Sequence, residues 1–151
     1  MIKIICVGKI KEKYFKEAIA EYKKRLSKYT KLEIIEVIDF ERNSKEEVKK
    51  LEGELILKNI KDKDYVITLD IKGNKLSSLS FANKINNILI NNSNLAFVIG
   101  GSYGLDDTVN KRSNYSLSFS DLTFPHQLFR VILLEQIYRS YKILNNESYH
   151  K

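Results

Sequence analysis

The chain predicts an α/β fold in which a mostly parallel sheet lies between helices, and three observations carry that prediction. Nearly continuous apolar runs recur at Ile2–Val7, Leu32–Ile38, Tyr65–Leu69 and Leu95–Ile99, as strands buried on both faces do. Segments of helical period separate them. Finally, 151 residues with 43% apolar, 11% aromatic and 30% charged content make one domain's worth of globular chain, so residues 1–151 are read as one domain.

The elements follow in order. After the first strand, Phe15, Ala18, Ile19, Tyr22, Leu26 and Tyr29 fall on one face of a helix, and the second strand follows. Ser44 and Glu47 have capping-box spacing. They open a second helix that stacks Val48, Leu51 and Leu55 despite the interior Gly53. A third helix, after the third strand, carries Phe81, Ile85, Ile88 and Leu89, and leads to the fourth strand. Beyond a loop, Tyr115, Leu117 and Phe119 alternate with Ser116, Ser118 and Ser120, a period of two that predicts a fifth strand. The last helix spans about His126 to Leu144, with Pro125 in its first turn. Its apolar residues project around most of the circumference. One sheet face cannot cover them all, which predicts a second apolar partner, most simply the same helix of another subunit.

Charge and composition narrow the function classes. The 26 basic residues against 19 acids give +7, a balance that favours a polyanionic partner. Lysine, asparagine and isoleucine are enriched together, so codon bias accounts for part of that excess. Only five of the 26 are Arg, which makes each Arg a better candidate for forked recognition than any Lys. A single cysteine, Cys6, excludes an internal disulfide, and with two His it leaves too few ligands for a structural zinc site. Cys6 lies in an apolar run and reads as a core residue of a protein in a reducing cytoplasm. No signal-peptide pattern or membrane-length apolar run is present.

Three segments are candidates for chemistry. Gly100-Gly101-Ser102-Tyr103-Gly104 follows a strand end, where open α/β sheets bind ligands. It is not a dinucleotide fingerprint, and it reads equally as a tight turn or a cofactor cradle. The stretch Phe119–Arg130 holds His126 one helical turn from Arg130, on a side away from Glu135 and Arg139. A histidine there serves as a cap, a core residue or an active-site group. At the end, Ser148-Tyr149-His150-Lys151 is either a frayed terminus or an aromatic, a titratable ring and a cation set to contact a base and phosphate. No Ser/His/Asp grouping, carboxylate pair or metal motif is evident.

Taken together, these residues resemble the RlmH family, small SPOUT-class methyltransferases of bacterial large-subunit ribosomal RNA. The resemblance rests on FVIGGSYG from Phe97, on SNYSLSFSDLTFPHQLFRVILLEQIYRSYKI, on the terminal SYH, and on Ile4–Tyr14 and Tyr65–Asp70. It implies a SPOUT-type α/β knot, with a parallel-rich sheet sandwiched by helices and a carboxyl-terminal trefoil knot. The implied reaction is transfer of a methyl group from S-adenosyl-L-methionine to N3 of a pseudouridine in 23S rRNA of the assembled ribosome. Carried over by motif, the cofactor contacts fall at Leu69, Gly100, Phe119, Ser120, Asp121, Leu122, Thr123 and Phe124.

The resemblance further implies a cytoplasmic homodimer without metal, in which the tail of one subunit completes the pocket of the other. Tyr149 and His150 are then active-site residues supplied in trans, with Arg130 and His126 near the target nucleotide. Asn146 and Ser148 stand where the family commonly has Gly and Pro. Asn tolerates the left-handed conformation at a helix end, so the turn survives; loss of the Pro loosens the tail. Lys9, Lys11, Lys13, Lys16, Lys23 and Lys24 form either an electrostatic footing on the ribosome or a solvated face. Two rivals differ in class: a Rossmann-type enzyme using another nucleotide, and a non-enzymatic ribosome-binding module.

Overall fold

The computed structural model describes residues 1–41 and 44–151. The strands are β1 (Ile2–Val7), β2 (Leu32–Val37), β3 (Tyr65–Lys75), β4 (Leu95–Ile99) and β5 (Tyr115–Ser118), and the helices α1 (Lys13–Leu26), α2 (Lys45–Lys58), α3 (Ser78–Asn91), α4 (Asp107–Arg112) and α5 (His126–Leu144). All five strands join one parallel sheet in the order β2-β1-β4-β3-β5.

The continuous apolar runs are explained by where their strands sit. Every residue of β1 and β4, two of the three inner strands, is buried. Alternate residues point to opposite faces. Ile2, Ile4 and Cys6 join Ile67 and Phe97 beneath a layer that contains Leu26, Ile85, Leu133 and Ile137. Ile5, Val7, Val66 and Val98 face Ile56 and Val109. Helices α1, α3 and α5 therefore cover one side of the sheet and α2 and α4 the other, the sandwich expected. Burial pushes the Cys6 thiol up to about 11, as befits an inert core residue.

Three details depart from the sequence reading. The loop after β4 contains α4, a six-residue helix capped by the Asp106 side chain; it is too short to show a period. Pro125 occupies the cap position, one residue before the first turn of α5. Strand β3 runs past Leu69: its pairing with β5 breaks there and resumes at Asn74, so Asp70–Gly73 bulge from the ladder. Gly73 permits the close approach, since a Cβ there would meet the backbone of Ser116 and Leu117 at 2.8 Å.

The all-round apolar character of α5 is partly explained within one chain. Its inner face buries Arg130, Leu133, Leu134, Ile137 and Tyr138, and α1 and α3 flank it, so three elements and not one sheet share its apolar surface. Leu128 is exposed, and Val131 and Ile132 are half-buried. At 100° per residue these three form the outer stripe with Glu135 and Arg139. No helix among the described residues is long and apolar enough to cross a membrane.

Candidate active site

Parallel strands end with their loops at one edge of the sheet, and here the ends of β3, β4 and β5 open onto a cleft of about 510 Å³. That is a usual size for a small-molecule site. Its walls are the bulge after Leu69, the glycine loop after β4 and the run from Ser118 to His126 after β5. Leu69, Gly100, Phe119, Ser120, Leu122, Thr123 and Phe124 all line it. Asp121 does not: its side chain points outward to an ion pair with Lys75.

The glycine cluster proves to be both turn and wall. Gly104 N–H donates to Gly101 O at 3.1 Å, and Gly104 adopts a φ of +84°, a conformation that glycine enters without steric cost. At Gly100 a Cβ would stand 3.0 Å from Leu105 Cδ2, and at Gly101 one would stand 2.9 Å from Glu52 Oε1. The loop lies that tightly on its support because both positions lack a side chain. The opposite wall is braced by aromatic rings: Phe119 meets Phe129 edge-on with centroids 5.0 Å apart, and Phe124 stacks on Phe129 at 6.2 Å.

Among the described residues of this lining, Asp70 is the only acidic or permanently charged side chain, and none is Lys or Arg. The bulge in β3 puts it there. An apolar cleft with one carboxylate suits a cationic ligand and disfavours a diphosphate, whose charge would meet Asp70 unneutralised. Nothing in the sequence singled out Asp70 except its place at the end of an apolar run.

The other candidate residues divide into two groups. His126 lines the cleft, with Nδ1 3.5 Å from Gly100 O. Arg130, one turn on, is 3% exposed and not part of the lining. Its guanidinium donates to Glu36 Oε2 at 2.7 Å, to Val7 O at 2.9 Å and to Gly8 O at 2.6 Å. Three acceptors, from β1, β2 and the loop between β1 and α1, thus hold Arg130, which the resemblance placed near the target nucleotide.

Tyr149 and His150 lie away from the cleft of their own chain. The Tyr149 hydroxyl donates to Glu135 Oε1 at 3.1 Å, and its ring packs edge-on against Tyr138. Burial, followed by the Glu135 charge, pushes the Tyr149 phenol up to about 12, so it remains a proton donor. Arg139 donates to His150 Nδ1 at 3.1 Å, which leaves that nitrogen unable to take a proton while the contact lasts. The tail turns back at Asn146, whose φ of 54° is the left-handed conformation expected of it, and Glu147 secures the turn by accepting from Tyr29 and Lys142.

Glu52 is a site neighbour that the sequence reading missed. It is buried under Gly101, with Oε2 accepting from the Phe40 N–H and Oε1 unpartnered among the described residues. Loss of water raises its pKa, as does the charge of Asp39, while the Phe40 N–H and His126 act the other way. The available signal was a charged residue beside Gly53 on the apolar side of α2.

Comparison with known proteins identifies the family. A family profile described as "Predicted SPOUT methyltransferase" matches residues 1–150. The "Ribosomal RNA large subunit methyltransferase H" of Clostridium tetani (strain Massachusetts / E88) is 60% identical over 157 residues, covering 99% of each chain. The protein of that name from Clostridium botulinum (strain Kyoto / Type A2) is 59% identical with the same coverage. A solved structure, a probable methylase family protein from Haemophilus influenzae Rd KW20, superposes with a TM-score of 0.56 at 17% identity, covering 99% of this chain and 70% of that one; it bears on the fold alone. With a profile that spans the chain and full-length relatives at such identity, this chain belongs to the RlmH family of SPOUT methyltransferases.

Proposed function

We propose that the protein methylates large-subunit ribosomal RNA, transferring the methyl group of S-adenosyl-L-methionine to N3 of a pseudouridine on the assembled ribosome, and that it acts as a homodimer. The single observation that carries this reading is the cleft at the ends of β3, β4 and β5, apolar on most sides and bearing Asp70 as the one carboxylate among its described residues. A sulfonium nucleoside combines an apolar ring system with positive charge, and both match.

Bound there, S-adenosyl-L-methionine supplies a methyl group that is already activated. What remains for the protein is alignment and removal of one proton. Leu69, Gly100, Phe119, Ser120, Leu122, Thr123 and Phe124 enclose the donor, and Asp121 contributes through its backbone. The carboxyl-terminal knot that the family implies would be formed by the segments after β4 and β5, both of which line the cleft. A second copy docks on the outer stripe of α5, with Leu128, Val131 and Ile132 against their counterparts, and Tyr149 and His150 of the partner subunit close the cleft. His150 would leave Arg139, and its freed nitrogen would take the N3 proton, directly or through a water it orients, while the methyl group passes from sulfur to N3 and the sulfonium, its sulfur–methyl bond broken, leaves as a neutral thioether. His126 borders the target nucleotide. Arg130 is a positioning residue that ties α5 to the end of β1. The exposed lysines of the β1–α1 loop and α1 give an electrostatic footing on the RNA.

The deciding experiment is incorporation of tritiated methyl from S-adenosyl-L-methionine into ribosomes from cells lacking the gene, followed by mass spectrometry of the large-subunit rRNA. A single pseudouridine gaining one methyl is the expected result; no incorporation overturns the reading. His150→Ala is expected to abolish single-turnover methylation while cofactor binding by calorimetry persists, and full activity in that variant rejects the tail as base. Charge reversal at Lys9, Lys11 and Lys13 is expected to flatten the salt dependence of ribosome binding; an unchanged slope shows those lysines idle.

A further inference from the structure

The wall of the cleft has an outer side, and it presents an aromatic ring. Tyr103 sits at the tip of the turn Gly101–Gly104, whose ends are joined by a bridge and pressed onto Leu105 and Glu52. Its neighbours Gly101, Ser102 and Gly104 line the cleft, but Tyr103 does not; it is 43% exposed. Most of the other tyrosines are built into the protein, as Tyr22, Tyr29, Tyr138, Tyr141 and Tyr149 pack against the main core. The ring of Tyr103 has instead the ammonium of Lys45 5.6 Å from its centroid, and among the described residues no protein partner for its hydroxyl is found.

An exposed aromatic face on a constrained turn beside a cation is the pairing by which proteins hold an unstacked nucleotide, the ring stacking on the base and the cation meeting its phosphate. We propose that Tyr103 and Lys45 bind a nucleotide adjacent to the methylated one, so that the turn walling the cofactor cleft on its inside grips the RNA strand on its outside. This rests on the RNA-methylation reading above and deepens it. The inference does not depend on base identity, because every base has a stacking face.

Steady-state methylation of large-subunit particles lacking the modification tests it, with calorimetry of S-adenosyl-L-methionine as a control. Tyr103→Ala is expected to raise the KM for particles about tenfold, the size of one lost base–aromatic stack. Its kcat and cofactor affinity should stay at the unaltered protein's values, and Tyr103→Phe should restore KM. Lys45→Ala is expected to raise KM less and to reduce its salt dependence. An unchanged KM in Tyr103→Ala overturns the inference and leaves the proposed function standing. A loss of cofactor affinity matching the loss of activity also overturns it, because the ring would then act only by holding the turn. If the unaltered protein methylates no particle, the proposed function falls and this inference falls with it.

Discussion

Arg130 Nη1 lies 2.7 Å from Glu36 Oε2, joining the first turns of α5 to β2 across the end of β1. The pair is asymmetric: the Arg130 side chain is 3% exposed and that of Glu36 34%. The same guanidinium also satisfies two backbone carbonyls, Val7 O and Gly8 O. Arg130→Ala strands those acceptors in the interior and is expected to lower the unfolding free energy by about 3 kcal/mol. Glu36→Gln keeps an acceptor oxygen at a partly wet position and is expected to cost less than about 1 kcal/mol. Urea midpoints at constant m-value measure both, and equal losses would refute this asymmetry.

Gly101→Ala tests how the glycine loop is supported. The added methyl would stand 2.9 Å from Glu52 Oε1 and 3.1 Å from Val7 Cγ1, both in packed surroundings, so the loop must lift. Cofactor affinity should fall at least about tenfold for a displacement near 1 Å. Calorimetry with S-adenosyl-L-methionine reads this directly. Unaltered affinity would mean that the loop shifts freely.

Glu52 gives a pH signature. Its folded pKa is raised, chiefly by loss of water, so the folded state holds the proton more tightly than the unfolded chain does. Its ionisation therefore costs stability at neutral pH, and that cost disappears as pH falls through the folded pKa. Glu52→Gln should be more stable than the unaltered protein at pH 7, with the difference shrinking towards pH 4. A glutamine variant less stable at pH 7 would contradict this.

Asp64 has the opposite sign. Burial alone would raise its pKa, but donation from Lys61 N–H, Lys3 and Asn94 outweighs burial and leaves the carboxyl below its ordinary value. Its stabilising contribution is complete above the unfolded carboxylate range and is lost as pH falls through the depressed folded value. The Lys3–Asp64 pair is buried at 2.9 Å. Asp64→Ala leaves the Lys3 ammonium unpaired and is expected to cost about 3–5 kcal/mol. Thermal unfolding from pH 2 to 7 shows both effects, and a pH-independent penalty would argue against the pair as its source.

Asn146 tests the tail. Its φ of 54° is tolerated by asparagine and glycine but strains a β-branched side chain. Asn146→Gly should preserve both fold and activity. Asn146→Val is expected to destabilise by about 1–2 kcal/mol and to release Tyr149 and His150 from Glu135 and Arg139, visible as loss of protection at the hydrogen-bonded amides of Asn145, Asn146 and Glu147. Full protection in the valine variant would show that the turn is held elsewhere.

Local pattern determined much of this protein. Apolar runs marked the strands because neighbours in a parallel sheet bury both faces, and Ser44, Pro125 and Asn146 marked helix boundaries and a turn through short-range rules of capping and φ. The glycine cluster was legible as a special backbone, though not as a turn and a cleft wall at once. Tertiary structure alone decided the rest. Asp70 became the charge of the cleft only through a register break against β5, and Glu52 became a support only because α2 packs beneath Gly101. Arg130 found its acceptors on segments more than a hundred residues earlier in the chain for the Val7 and Gly8 carbonyls, and on β2 for Glu36. Such partners are selected by packing across the sheet, and sequence spacing carries no record of distances closed in space.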